Sequence, residues 1–279
     1  MRLFFARAAG GRYNGDRLQS ARCGLHLFGR LPVAAVSEMV NRFCGNPSGC
    51  AKRFSDGLIS YGREGAMSDS LIRDYLQTQG LKLAADGVRV AHLAAEAVVN
   101  FGQAEIDRSV LRGAEADARL PQNAETDALL RQVFMALDSV CSRTAARSAA
   151  VYALLPDAVL LRLAAQGRAV AELLAADDDA ARRHLAARSA QSGWLNLAGD
   201  VPRWLECGDL LGAEHADSGS QAALPVCAAS GRVLGVVYVE SAQKNAFDED
   251  ALTQWVALAL ALAAPLGALA GGAGEAEDE

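Results

Sequence analysis

Cys23, His26, Cys44 and Cys50 put four soft ligand types near the start of the chain, and "CGNPSGC" offers a loop to hold two of them. Structural zinc sites bring their ligands in closer pairs, so the spacing predicts free thiols and no metal centre there. The other cysteines, Cys141, Cys207 and Cys227, complete a set of six without a CxxC pair or a regular framework. Such a set points to reduced thiols in a cytoplasm. Asp209, His215 and Ser218 supply the residue types of a hydrolytic triad within one loop. They lack the glycine pattern of a nucleophile elbow and an evident oxyanion hole, so order along the chain does not make a triad of them.

The elements that would position these residues are clearest in the C-terminal half. "NAETDALLRQVFMALDSVC" places Leu129, Leu130, Val133, Phe134, Leu137 and Val140 on one helical face behind an Asn123 cap. "SAAVYALL" and "AVLLRLAA" flank Pro156-Asp157 as two strands and a turn, with Gly167 ending the second. "DDDAARRHLAARSAQSG" reads as one helix, acidic at its start, basic beyond and stopped by Gly193. "WLNLAGD" reads as a short strand, "VPRWLEC" as one helical turn, and "GDLLGAEHADSGSQ" as a loop. Two more strands hinge at Ser230-Gly231, with Val233, Gly235, Val237 and Val239 on one face of the last and Leu234, Val236, Tyr238 and Glu240 on the other. Both faces are largely apolar, so both should be covered.

Upstream, residues 67–118 form a helical segment and linker. Ser68, Asp69 or Ser70 caps a first helix that Gly80 stops, "LKLAADGVRVAHL" fits either a hairpin about Asp86-Gly87 or, favoured by its Ala-rich continuation, a helix from about Val88 to Phe101, and 113–123 is a polar connector. Residues 1–66 are rich in Gly, Arg and Cys and keep no sustained apolar period. Met67-Ser-Asp-Ser looks like a bacterial start, so the expectation is that this basic extension is not translated natively. Residues 273–279 form an acidic tail.

The net charge of −6 divides unevenly: residues 1–66 hold 10 Arg and Lys against 4 acids, and the remainder holds 17 against 29. An acidic remainder without a basic stripe disfavours nucleic acid as a partner. The last helix carries no charge between Asp250 and Glu275. Its apolar run from Trp255 to Ala270 contains Pro265 and Gly267 and falls short of the roughly 20 residues of a membrane span, so a protein partner is expected instead.

In this order, "VYALLPDAVLLRLAAQG", "GWLNLAGDVPRWL", "LPVCAASGRVLGVVYVES" and "AFDEDALTQWVALALALA" resemble the first hairpin, middle strand, closing hairpin and final helix of a GAF domain. The resemblance covers about residues 120–270, with a GAF-like domain at 119–272. It implies an α+β fold, an antiparallel sheet sandwiched by helices and preceded here by a helical N-terminal extension. It also implies a small-molecule pocket between one sheet face and the 178–221 segment. The first and last helices of the domain would lie on the other face and form a homodimer or meet a signalling partner. Trp194, Asp200, Arg203, Trp204, His215 and Tyr238 are the expected ligand-binding residues, since aromatic walls with a few polar groups suit a small ligand.

Three readings of function follow from the resemblance. The first is a cytoplasmic sensory or regulatory domain that signals by population shift. The second is an enzyme like the family's free methionine sulfoxide reductases, working through Cys207, although "AARSAQSGWLN" lacks the upstream cysteine of that branch and so a resolving thiol. The third is a degenerate scaffold serving only dimerisation. Lys244, Phe247 and Asp250 partly resemble a motif of cyclic-nucleotide-binding GAF domains, but Gln243 departs from it, and helix initiation accounts for the same residues. No Cys-His pair suggests bilin attachment, and His184 and His215 alone do not suggest haem, so no cofactor is assigned.

Overall fold

A computed structural model describes the backbone of residues 69–274, with side chains through residue 270. The extension at 1–66, the four soft ligands within it, Met67 and the tail from 275 lie outside the described residues. In chain order the elements are α1 (69–78), α2 (Ala85–Phe101), α3 (Arg108–Leu111), α4 (Ala114–Arg119), α5 (Ala124–Cys141), β1 (Ser148–Leu154), β2 (Val159–Gly167) and β3 (Leu173–Ala175). They continue with α6 (Asp178–Arg183), α7 (Leu185–Ser192), β4 (Asn196–Ala198), α8 (Val201–Cys207), β5 (Ser220–Cys227), β6 (Val233–Ser241), α9 (Glu249–Ala261) and α10 (Ala263–Gly274), with a 3-10 turn at Ala213–His215 between α8 and β5.

The six strands form one sheet in the order β3-β2-β1-β6-β5-β4, and every neighbouring pair is antiparallel. This is the expected α+β sandwich. Alternation along the strands sends Ala149, Val151 and Ala153 of β1 and Ala222, Leu224 and Val226 of β5 to a large core under α2, α5, α9 and α10. Ala150, Tyr152, Ala223 and Val236 point the other way, into a smaller core with Leu185, Ala186, Val201 and Leu210. Leu234 breaks the expected alternation of β6 and joins the larger core, because the β5–β6 register shifts between Val226 and Cys227. Pro225 is tolerated inside the sheet because β4 pairs with β5 only through Ala223. Beyond that point α1 covers the edge, where the Tyr75 hydroxyl donates to the Pro225 carbonyl at 2.9 Å.

Caps and breakers account for most boundaries. Asn123 accepts from the Thr126 amide at 2.7 Å, and Asp248 accepts from Ala251 at 2.9 Å. Gly80, Gly193 and Gly231 take the left-handed backbone that ends a helix or turns a hairpin. Two expectations need correction. The 178–192 segment is two helices, because His184 is extended (φ −133°, ψ 120°). The 113–123 connector contains α4.

The charge-free last helix also differs from its expectation. It divides at Leu262, where Pro265 has no N–H to donate to the carbonyl of Ala261, and its first part is packed by α2 of the same chain. The cover that the sequence asked of a partner is therefore supplied within the chain. The 22-residue stretch Glu249–Ala270 is long and apolar enough to cross a bilayer, which corrects the shorter count above, and 67% of its most apolar window is buried inside the protein. It behaves as a core helix.

His92, buried on α2, has its Nδ1 without a hydrogen-bond partner, and burial holds its pKa below the ordinary histidine value, partly offset by Glu96. The unfolded chain binds a proton near pH 6.5 that the folded chain refuses, so stability present at pH 7 is lost as pH falls through that value. Tm should drop between pH 7 and about pH 5.5, and His92→Leu should shallow that drop; an equal slope in wild type and variant would contradict it.

Candidate functional site

On the face of the sheet opposite α9, a cavity of about 220 Å³ is lined by twelve residues. Strand pairing sets its floor. Ala150 pairs with Tyr238 and Tyr152 with Val236, so Tyr152 on β1 and Tyr238 on β6 project from the same face, and Glu240 follows two residues on. The wall comes from Arg168–Ala171 after β2, Leu174 of β3, His184 and Ala186 at the α6–α7 joint, and Glu214 and His215 of the 3-10 turn. Tyr152 donates to the Ala171 carbonyl at 3.0 Å, and Arg162 donates to the Val170 carbonyl and to Glu172 Oε1, so the 168–171 wall is tied to β1 and β2.

Of the polar lining groups Tyr152, His215 and Glu240 are buried, His184 and Tyr238 half-buried, and Arg168 and Glu214 exposed. Glu240 is 6% exposed; its Oε2 accepts from Ser148 Oγ at 3.3 Å, while its Oε1 has no hydrogen-bond partner. The Arg147 guanidinium is 3.8 Å from that Oε1, close enough to balance part of the charge. Burial, with Glu240 and Tyr152 beside it, holds the Tyr238 phenol well above its ordinary pKa. Tyr152 is raised in the same direction by burial. Both tyrosines therefore stay protonated donors at neutral pH. His215 engages both ring nitrogens, Nε2 with the Arg183 carbonyl at 2.6 Å and Nδ1 with Gln221 Nε2 at 2.9 Å. An amide N–H can only donate, so Nδ1 accepts and Nε2 carries the proton. His184 stands edge-on to His215 with ring centroids 5.9 Å apart, and burial followed by the His215 ring lowers its pKa.

Of the six expected ligand-binding residues, His215 and Tyr238 line this cavity, and Trp194, Asp200, Arg203 and Trp204 do not. The strand order explains the difference. β4 sits at the sheet edge opposite β3, and the residues that flank it fall over the β4–β5 side. There Asp200 caps α8 through the Arg203 amide at 3.3 Å and pairs with Lys244 at 2.9 Å. Arg203 is exposed, and Trp194 is 55% exposed. Trp204 packs on the smaller core beneath the Arg188 guanidinium, 5.8 Å from its ring.

The sequence reading missed Tyr152, Arg168, His184, Glu214 and Glu240. Glu240 left a usable signal, an acid on a strand whose two faces both had to be covered.

The other candidate chemistry takes definite places. Cys207 ends α8, exposed and outside the cavity lining. Cys227 is half-buried at the end of β5, and burial raises its pKa. Ser218 is buried with its hydroxyl toward the Ser220 carbonyl, and His215 is committed to Gln221 and Arg183, so no triad forms with Asp209. Phe247 is buried, and Asp248 rather than Asp250 caps α9, which fits helix initiation.

The chain matches no protein-family model and no curated protein. Among solved structures it is similar to a protein from Burkholderia vietnamiensis described as a GAF sensor, at 18% identity and a TM-score of 0.47 over 67% of this chain and 98% of that one. It is also similar to the type II free methionine-R-sulfoxide reductase of Thermoplasma acidophilum, at 15% identity and a TM-score of 0.45 over 52% and 96%. A third likeness is to the GAF domain of an Acinetobacter phosphoenolpyruvate-protein phosphotransferase, at 15% identity and a TM-score of 0.44 over 66% and 92%. Several of the matched structures are GAF domains, the family that the sequence phrases resemble, and at these identities the likeness concerns the fold and leaves sensor and reductase undivided.

Proposed function

We propose that the chain is a GAF-type regulatory domain that binds a small molecule in the cavity between Tyr152, Tyr238 and the α6–α7 joint. One observation carries this reading: a carboxylate 6% exposed, Glu240, lines the cavity with one oxygen that lacks a hydrogen bond of good geometry and has only the Arg147 guanidinium at 3.8 Å and the Tyr238 phenol beside it. A buried acceptor without a donor is costly, and a ligand bearing an ammonium or another strong donor would relieve it. The two tyrosines with Val170, Leu174 and Ala186 suit the body of such a ligand. Occupancy would bias the 168–171 and 213–215 segments and act as a population shift in a cytoplasmic protein. We assign the outlet to the outer side of α2, where Val90, Leu93 and Phe101 are exposed and a second copy or a partner protein would dock.

Reductase chemistry at Cys207 draws no support from the cavity, whose lining contains no cysteine. A panel of small amines and amino acids, followed by thermal shift on wild type and Cys207→Ser, tests the choice. Stabilisation by the same compounds in both proteins is the expected result. Turnover of free methionine sulfoxide that disappears in Cys207→Ser would overturn the regulatory reading.

A further inference from the structure

We propose that His184, Glu214 and His215 form a binding site for one divalent transition-metal ion at the wall of the cavity. One ligand atom from each residue lies within 4.8 Å of the other two, and Glu214 Oε1 is 3.8 Å from His215 Nε2. These groups come from the helix break between α6 and α7 and from the 3-10 turn, two segments already linked by the His215 contact to the Arg183 carbonyl and by the Leu211 amide donating to the Arg182 carbonyl at 2.9 Å. Two imidazoles and one carboxylate select a borderline ion such as Zn(II), Co(II) or Fe(II) over Mg or Ca, which prefer all-oxygen shells. All three side chains line the cavity, so the remaining coordination positions would open into it.

A second, independent observation lies behind His215. Gln221 is fully buried, and its Oε1 has no hydrogen-bond partner, while its Nε2 donates to His215 Nδ1. Rotating the amide by half a turn would place Oε1 against Nδ1, which would then carry the ring proton. Nε2 would give up its proton as Nδ1 takes one from water, and the metal would bind the freed lone pair in place of the Arg183 carbonyl, whose 2.6 Å contact must open to admit it. The exchange gives the oxygen a donor and supplies the outer-shell acceptor that metal-bound histidines ordinarily have, and it leaves the amide nitrogen in the oxygen's former place.

Metal uptake requires no organic ligand, so it can fail or succeed separately from the amine screen. The experiment titrates Co(II) into the untagged full chain, reads visible d–d absorption, and then displaces Co(II) with Zn(II). One Co(II) per chain is expected. Outer-shell changes alone cost about 10- to 100-fold in metal affinity, so loss of a direct ligand in His184→Gln or Glu214→Gln should weaken binding at least about tenfold. Both positions tolerate polar groups, and thermal melts confirm that the variants fold. The proposal is overturned if wild type binds no Co(II), if both variants bind as tightly as wild type, or if thiol alkylation abolishes the signal and so assigns it to cysteine.

Discussion

Trp255→Ala is expected to cost about 3–5 kcal/mol of folding stability and to lower Tm by about 10 °C. Trp255 is fully buried on α9, the helix packed against α2, α5, β5 and β6, so truncation opens a cavity where the two helical layers and the sheet meet. Trp194, 55% exposed, makes the contrast: Trp194→Ala should change stability by no more than about 0.5 kcal/mol. Urea unfolding followed by far-UV circular dichroism measures both. Equal losses would mean that α9 is not seated as described.

Glu240→Gln should leave the fold intact and weaken a cavity ligand by at least about 2 kcal/mol, about thirtyfold in Kd. The amide keeps the shape of the side chain and an acceptor for Ser148 Oγ, but it removes the charge that would hold a cationic ligand group. Asp200→Asn is the matched control. Asp200 pairs with Lys244 at the surface and lies outside the lining, so its loss should leave ligand affinity unchanged. Calorimetric titration of both variants with a compound from the amine panel decides between the two carboxylates, and a selective loss in Asp200→Asn would shift the site to the β4–α8 region.

The fold was largely legible because its boundaries depend on local chemistry. Asn123 caps α5, Gly193 ends α7, Gly231 turns the last hairpin, and period-two apolar runs mark β1, β2, β5 and β6. What escaped depends on tertiary structure. β3 is three residues long, without a fully buried side chain, and it exists because Leu160 and Leu161 of β2 offer it an edge to pair with. The break at His184 interrupts a segment whose composition is continuous helix.

The candidate site was half legible for the same reason. Trp194, Asp200, Arg203 and Trp204 precede His215 closely in the chain, yet β4 carries them to the far edge of the sheet. Arg168 and His184, from separate segments, converge on Tyr238 only through the β3-β2-β1-β6 order. That order is a property of pairing over long sequence separations, which no local window contains.

Occupancy of the cavity is tested most directly by native mass spectrometry of the chain and of Ala186→Phe, both purified from the cells that make the protein. Ala186 is 2% exposed on α7 and lines the cavity, so a phenyl ring there fills the space without touching the surface. A small-molecule adduct on wild type that is missing from the folded variant is the predicted result. An adduct of the same mass and abundance on both proteins, or none on wild type together with no stabilisation by any amine, would contradict the account.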